Sequence, residues 1–250
     1  MSGHSKWHSI KHKKGAADAI RGKIFTRHAN LITIAARAGG ADTVSNPALR
    51  LAIDNAKADN VPNANIERAV KRGTGDLKEG AQIEELTYEG YGPGGVAILV
   101  ECLTDNKNRT VTNLRTLFGK HGGNLGSSGS VAWMFERKGV IRINGKGGNS
   151  DDIELAAIDA GADDVEKDGD NFVITLKPTN LTPATNKLKE LGLKVESAQV
   201  QMIPNQTVKI EDEATAKKVL DFMGALDEDL DVNNVSGNFD ISDAIMEKIA

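Results

Sequence analysis

Lys167-Asp168-Gly169-Asp170-Asn171-Phe172-Val173-Ile174-Thr175-Leu176 decides the fold of the central part of the chain. Asp168-Gly169 accepts the positive φ angles of a tight hairpin turn, and Phe172 to Leu176 is a β-branched and aromatic run suited to a strand. Toward the N-terminus, a helix is expected over Asp151–Ala160, closed by Gly161, and Gly139–Asn144 alternates as a strand. Toward the C-terminus, Thr182-Pro183 caps a helix that ends at Gly192, and Leu193–Ile203 is extended. The order β-α-β-β-α-β is the ferredoxin-like plan.

The flanks of this segment complete each other. Val96-Ala97-Ile98-Leu99-Val100-Glu101-Cys102-Leu103 is nearly continuous in apolar character, as a largely buried strand should be, and Gly90–Gly95 before it reads as a turn. Asn108–His121 is helical, with Val111, Leu114, Leu117 and Phe118 on one face, and Ser130–Phe135 is a further extended run. After Pro204 come a strand at Val208–Ile210, a helix at Ala214–Leu226 and a strand near Val232–Val235. Residues 1–78 are all-helical. Ile20, Ile24, Leu31, Ala35 and Ala38 mark one helix face, Asn46-Pro47 opens a helix burying Leu49, Ala52, Ile53 and Ala56, and Asn65–Arg72 is a third helix ended by Gly73. The expected class is α+β: an N-terminal helical bundle followed by two ferredoxin-like α/β domains, the middle one discontinuous. Residues 1–78 form the first domain, 79–136 with 205–250 the second, and 137–204 the inserted third.

Composition excludes several functions. With 39% hydrophobic and 26% charged residues, the chain can bury a core. No apolar run nears the ~18 residues of a membrane span, and Met1-Ser2-Gly3-His4-Ser5-Lys6 leads into no apolar signal segment, so a cytoplasmic protein is expected. Cys102 is the single cysteine, which rules out internal disulfides and multi-cysteine metal sites. Phosphate-loop, His-Glu-x-x-His and nucleophile-elbow motifs are absent, and no G-x-G-x-x-G stands between a strand and a helix. Cys102 reads as core, and the carboxylates of residues 211–231 read as a solvated face. The chain is therefore expected to be non-enzymatic, with no cofactor, no small-molecule substrate, no membrane partner, and a monomeric state.

Charge points instead to nucleic acid. Residues 1–78 carry 14 Lys and Arg against 6 Asp and Glu, a net +8, whereas residues 79–250 carry 17 against 29, a net −12. Within residues 1–28, Lys6, Lys11, Lys13, Lys14, Arg21, Lys23 and Arg27 face one acid, Asp18. Such an excess favours a polyanionic partner, through phosphate neutralisation and counterion release. His4, His8 and His12 recur at helical spacing, but a metal site so crowded with cations is disfavoured. Trp7 and His12 among the lysines suit bases and phosphates, while packing of Trp7 against the bundle is an equal alternative. A second candidate is Asp105-Asn106-Lys107-Asn108-Arg109-Thr110 at a helix start, where Lys107 and Arg109 beside free N–H groups would hold an anion. The other reading there is a plain capping loop.

Six motifs carry a family resemblance: Gly3-His4-Ser5-Lys6-Trp7, Arg21-Gly22-Lys23-Ile24-Phe25-Thr26, Asn46-Pro47 with Leu49-Arg50, Tyr88-Glu89-Gly90-Tyr91-Gly92-Pro93-Gly94-Gly95, Asn108-Arg109-Thr110 and Gly122-Gly123-Asn124-Leu125-Gly126. Together they resemble the YebC/PmpR family, which includes the mitochondrial translational activator of cytochrome oxidase. The resemblance runs from residue 1 to the C-terminal strand. It implies three domains and nucleic-acid binding. Bacterial members are described as DNA-binding transcriptional regulators and others act in translation, on the ribosome or messenger RNA. The expected function is a DNA-binding transcriptional regulator gripping duplex DNA through the basic helical domain. The alternative is a translation factor using the same domain on ribosomal or messenger RNA.

Overall fold

Three helices begin the part of the chain that the computed structural model describes, which comprises residues 18–77, 82–146 and 148–249. They are α1 (Asp18–Gly39), α2 (Pro47–Ala58) and α3 (Asn63–Thr74). Asn46 caps α2 by accepting the Leu49 N–H at 3.0 Å, and its amide donates to the carbonyls of Ala35 and Gly40, so one buried side chain ties the end of α1 to the start of α2. Leu49, Ala56, Ile66 and Ala69 are buried as expected. The buried face of α1 differs from the expected one. Ile32 and Ala36 are the buried apolar positions, with Phe25, Ala29 and the expected Ala35 packed beside them, while Ala38 is exposed. Helix α1 is apolar over much of its circumference, and the face carrying the small Ala29 and Ala36 won because it admits a neighbouring backbone closely.

That neighbour is α3. A Cβ placed on Gly73 would lie 2.5 Å from the Thr33 carbonyl oxygen and 2.6 Å from the Ala36 Cβ. Gly73 therefore does not end α3, as its identity suggested, but sits inside it at the closest approach to α1. The helix stops at Gly75, whose φ of 85° is left-handed.

The remaining elements form two sheets and a short parallel pair. In the order β3-β1-β2-β9, the first sheet comprises β1 (Glu84–Tyr91), β2 (Ala97–Thr104), β3 (Asn124–Leu125) and β9 (Val232–Gly237). Strand β2 is buried on both faces, which explains its unbroken apolar run. Ile98, Val100 and Cys102 pack against α4 (Lys107–Lys120) and α7 (Glu213–Asp227), whose Phe118 and Phe222 meet edge-on at 4.9 Å. Ala97 and Leu99 meet Val131 and Phe135 on the other face. Each buried phenylalanine contributes about 1.5–3 kcal/mol. Strand β1 went unread in the sequence, where Gly90–Gly95 counted as a turn. The turn is confined to residues 92–96, and β1 pairs antiparallel with β2 from Glu84↔Thr104 to Tyr91↔Ala97. Ser130–Phe135 is not extended: Ala132–Met134 is a single 3-10 turn, and the strand begins at Phe135.

The second sheet has the order β5-β6-β4-β7, from β4 (Phe135–Asn144), β5 (Asp164–Asp168), β6 (Asn171–Leu176) and β7 (Lys194–Pro204). Helices α5 (Ser150–Asp159) and α6 (Leu181–Glu190) complete the β-α-β-β-α-β unit. Helix α6 starts at Leu181, without a side-chain cap, so Thr182 lies inside it. Strands β8 (Val208–Ile210) and β10 (Phe239–Ile241) pair in parallel, and α8 (Asp243–Ile249) follows, unread in the sequence.

Two compact units divide these elements, one holding residues 22–80 with 137–201, the other 81–136 with 202–250. In the first, the Asn55 amide reaches the backbone of edge strand β7, donating to the Ala198 carbonyl at 2.8 Å and accepting the Ala198 N–H at 3.4 Å. That contact satisfies a strand edge that would otherwise lie open. Lys189 and Asp54 pair at 3.1 Å beside it.

In the second unit, Glu89 on β1 is 5% exposed, yet it is charged and well satisfied. One carboxylate oxygen accepts the Gly129 N–H at 2.7 Å, and the other accepts those of Val131 at 2.7 Å and Ala132 at 2.8 Å. Burial alone would raise its pKa. The backbone donors of Val131, Gly129, Ala132 and Ser130 outweigh burial and set it below the ordinary value. Gly90 next to it leaves room for Phe118, since a Cβ there would lie 2.4 Å from the Phe118 ring.

Two outcomes are expected. Gly73→Ala should gain up to ~1 kcal/mol of helix propensity but cost more in forced separation of α1 and α3, for a net loss of about 1–3 kcal/mol in thermal unfolding. A variant as stable as the parent would mean that the two helices part without strain. Glu89→Gln should cost about 1–3 kcal/mol near neutral pH. Because the folded-state pKa of Glu89 is depressed, its contribution is complete above the ordinary glutamate pKa and is lost as pH falls through the folded value. Denaturant titrations from pH 7 down to pH 3 should therefore show the two proteins converging in stability as the solution becomes acidic.

Candidate nucleic-acid interface

Lys6, Trp7, Lys11, His12, Lys13 and Lys14 lie outside the described residues, as do His4 and His8. Arg21, Lys23 and Arg27 fall on the first turns of α1. Arg21 is exposed, while Lys23 and Arg27 are half-buried, and all three also interact within the chain. His28 is a structural group: it is buried, and its Nε2 meets Asp59 Oδ2 at 2.6 Å.

The structure adds cations that sequence reasoning had counted only in the net charge. On α3, Arg68 and Lys71 are exposed, one turn apart, opposite the buried Ile66 and Ala69. Their spacing was the signal that could have found them. Lys57 on α2 and Arg37 on α1 are also exposed. Arg37, Lys57, Lys71 and Arg72 each occupy the last turn of a helix, where a cation complements the carbonyl end of the dipole. A short turn over residues 59–62 joins α2 to α3 and contains Asn60 at φ 59°.

Lys107 and Arg109 are not gathered around an empty anion site. Asn106 caps α4 by accepting the Arg109 N–H at 3.1 Å, which is the capping-loop arrangement. The Arg109 guanidinium grips Asp231 with two hydrogen bonds, Nε to Oδ2 at 3.1 Å and Nη2 to Oδ1 at 2.6 Å, and reaches Asp105 at 3.0 Å. Asp231, chiefly, and Asp105 raise the guanidinium pKa above its ordinary value. The Thr110 hydroxyl lies 2.8 Å from the same aspartate and 2.9 Å from that of Thr104. Lys107 pairs with Glu84 at 2.7 Å. Three carboxylates around two cations leave little positive potential for a phosphate. The Asn108-Arg109-Thr110 motif thus clasps the start of α4 to the chain ahead of β9.

A different surface was not foreseen. Tyr91 is 38% exposed and Trp133 69% exposed, and the phenol and the indole N–H both donate to the carbonyl of Ser130 at 3.3 Å. Trp133 stands on the loop that Glu89 holds, and Tyr91 ends β1 beside it. Cys102 is buried, and burial first, then the carboxylates of Asp229, Asp231 and Glu101, pushes its thiol well above the ordinary value, so it is no nucleophile. Among the described residues no helix is long and apolar enough to cross a membrane.

Replacing Arg109 by Met should lower stability by about 1–3 kcal/mol, because Asp231, 6% exposed, loses its charged donors. The exposed pair of Lys107 is worth less, so Lys107→Met should stay within about 0.5 kcal/mol of the parent. Equal melting temperatures for the two variants would contradict the clasp.

Residues 5–76 match the model of the TACO1/YebC protein N-terminal domain, and residues 83–239 match that of the TACO1/YebC second and third domain. A Rubrobacter xylanophilus protein described as a "probable transcriptional regulatory protein" is 50% identical over 250 residues, covering all of both chains. One from Desulforapulum autotrophicum with a similar description is 51% identical over 247 residues, 99% of each chain. The crystal structure of a conserved hypothetical protein from Aquifex aeolicus is 46% identical, superposes with a TM-score of 0.87, and is matched over 94% of this chain and 96% of that one. With both family models matched in order and relatives of half identity along the full length, the chain belongs to the TACO1/YebC family.

Proposed function

We propose that this protein is a cytoplasmic, non-enzymatic transcriptional regulator that binds duplex DNA through its basic helical segment. The observation that carries the reading is the division of charge, +8 over residues 1–78 and −12 over the rest. A polyanion is drawn to the first part and repelled by the second. Relatives of about half identity are named probable transcriptional regulatory proteins, which supports the regulatory role. In this reading residues 1–78 are the binding domain, and 79–136 with 205–250 and the inserted 137–204 are acidic bodies facing solvent or protein. Lys6, Lys11, Lys13, Lys14, Arg21, Lys23 and Arg27 contact phosphate, and Trp7 and His12 lie against sugar or base. The exposed Arg68 and Lys71 on α3 extend the cationic surface. The protein acts as a monomer.

A second reading, a translation factor that places the same basic segment on ribosomal or messenger RNA, is favoured by one observation. Tyr91 and Trp133 display aromatic faces that a base-paired duplex does not use.

Salt and competition separate the two. For either complex, log affinity should fall with log salt at a slope of about −0.9 per duplex phosphate neutralised, and replacing Lys11, Lys13 and Lys14 by Ala should flatten the slope by up to ~2–3 units. An unmoved slope would remove the basic segment from the interface. A transcriptional regulator should prefer some promoter duplex over random duplex by ~10³-fold or more. A ribosome-directed protein should show no such preference and should leave duplex DNA for structured RNA.

A further inference from the structure

The loop between β3 and β4 is built to hold two rings still. Glu89 fixes it through three backbone N–H groups, and the Gly126 N–H adds a bond to the Glu89 carbonyl at 2.7 Å. A loop whose role was only to cover the sheet would turn its large apolar side chains inward, as it does with Val131. Trp133 instead points outward, with more than two-thirds of its surface in solvent. Tyr91 stands on the same face of β1 as Glu89, two positions along the strand. Its hydroxyl and the Trp133 indole N–H converge on one acceptor, the Ser130 carbonyl. The chain has two tryptophans and two tyrosines, and one of each meets at the Ser130 carbonyl, Trp133 from the loop and Tyr91 from β1.

We infer that Tyr91 and Trp133 form a stacking platform for an unpaired base of single-stranded RNA. The inference rests on the reading that the protein binds nucleic acid, and it adds a second contact away from the basic helices. With their one polar atom apiece already bonded to Ser130, the rings offer mainly their π-faces to a ligand. A flat, polarisable group is what such faces bind, and an unpaired base supplies one whatever its sequence. Duplex DNA keeps its bases inside the stack, whereas RNA loops and ends expose them. A protein partner fits less well. The two rings are bordered by the exposed polar Ser127, Ser128 and Asn124, with the half-buried Ala132 and Met134 as their apolar neighbours, whereas a stable protein interface engages roughly 20–30 residues a side. The exposed Lys120 closes α4 just ahead of Asn124, which pairs with Tyr91 in the sheet, and so provides a cation at the same end of β1 for the flanking phosphate. Because Glu89 already orders the loop, little conformational freedom is lost on binding.

The test uses the full chain, a fluorescein-labelled single-stranded RNA of about 12 nucleotides, the DNA strand of the same sequence, and the corresponding DNA duplex. Trp133→Ala should weaken RNA binding by about fivefold to a hundredfold and leave duplex affinity within twofold, whereas Trp133→Phe should retain most of the RNA affinity. The melting temperature of each variant should match the parent, since the indole is exposed. A 4-thiouridine in the RNA should crosslink under ultraviolet light to peptides containing Tyr91 or Trp133. Unchanged RNA affinity in Trp133→Ala, or crosslinks confined to residues 1–78, would overturn the platform while leaving the duplex-binding function intact. Tighter binding of the DNA strand than of the RNA would overturn the assignment to RNA. Failure of the parent protein to bind any of the three nucleic acids would overturn the proposed function and this inference together.

Discussion

Strand β9 lies antiparallel beside β2, and this pairing joins two parts of the chain that the inserted sheet holds apart in sequence. The Arg109–Asp231 clasp spans 122 residues and lies where α4 leaves β2 and the chain enters β9. Closing so long a loop carries an entropic cost that grows only slowly with its length, so an insertion of this size is tolerated once the contacts at its base are strong. Those contacts are a β2 buried on both faces, the Phe118–Phe222 pair and a carboxylate holding a two-pronged guanidinium. Without β9, β2 would become the open edge strand of its sheet, and the core that α4 and α7 share would lose Val232 and Val235.

A second buried carboxylate, Glu89, does for a loop what Asp231 does for a helix start. Both are acids in an acidic part of the chain, and both are satisfied by local donors: backbone N–H groups for Glu89, a guanidinium and a hydroxyl for Asp231. Tyr88 to Gly95 and Gly122 to Gly126 are glycine-rich, and they meet one another: Gly90 and Tyr91 pair with Leu125 and Asn124, and Gly123 lies against the Tyr91 carbonyl. Gly90 makes room for Phe118, and Glu89 fixes the loop that follows β3. What remains facing solvent after these internal contacts is a pair of aromatic rings.

Much of the architecture was legible because it is written in local periodicity. The Asp168-Gly169 turn, the helices around it and the strand order they imply were readable from turn chemistry and alternation, and the structure has them in the order β5-β6-β4-β7. The capping role of Asn46 was readable from its place before Pro47. Strand β1 was not, because Glu89 and Gly90 interrupt its alternation with a charge and a missing side chain; the loop after β3 explains the charge, and the Phe118 ring on α4 explains the missing side chain. The buried face of α1 was misjudged for a similar reason. Two apolar stripes run along that helix, and the choice between them belongs to Gly73 on another helix.

The sequence by itself determined the class of the fold, the discontinuous plan and the concentration of positive charge in residues 1–78, since each follows from composition or from spacing within a few turns. The tertiary structure alone decided which charges are available. Lys107 and Arg109 look free in sequence but are neutralised by Glu84, Asp105 and Asp231, two of which lie far along the chain. Trp133 and Tyr91 lie in segments read as an extended run and a turn, and their shared exposure shows only when folding brings Tyr91 on β1 to the Ser130 carbonyl of the loop that Glu89 holds. Charge neutralisation and exposure depend on distances in space, and sequence spacing reports those distances only within a single element.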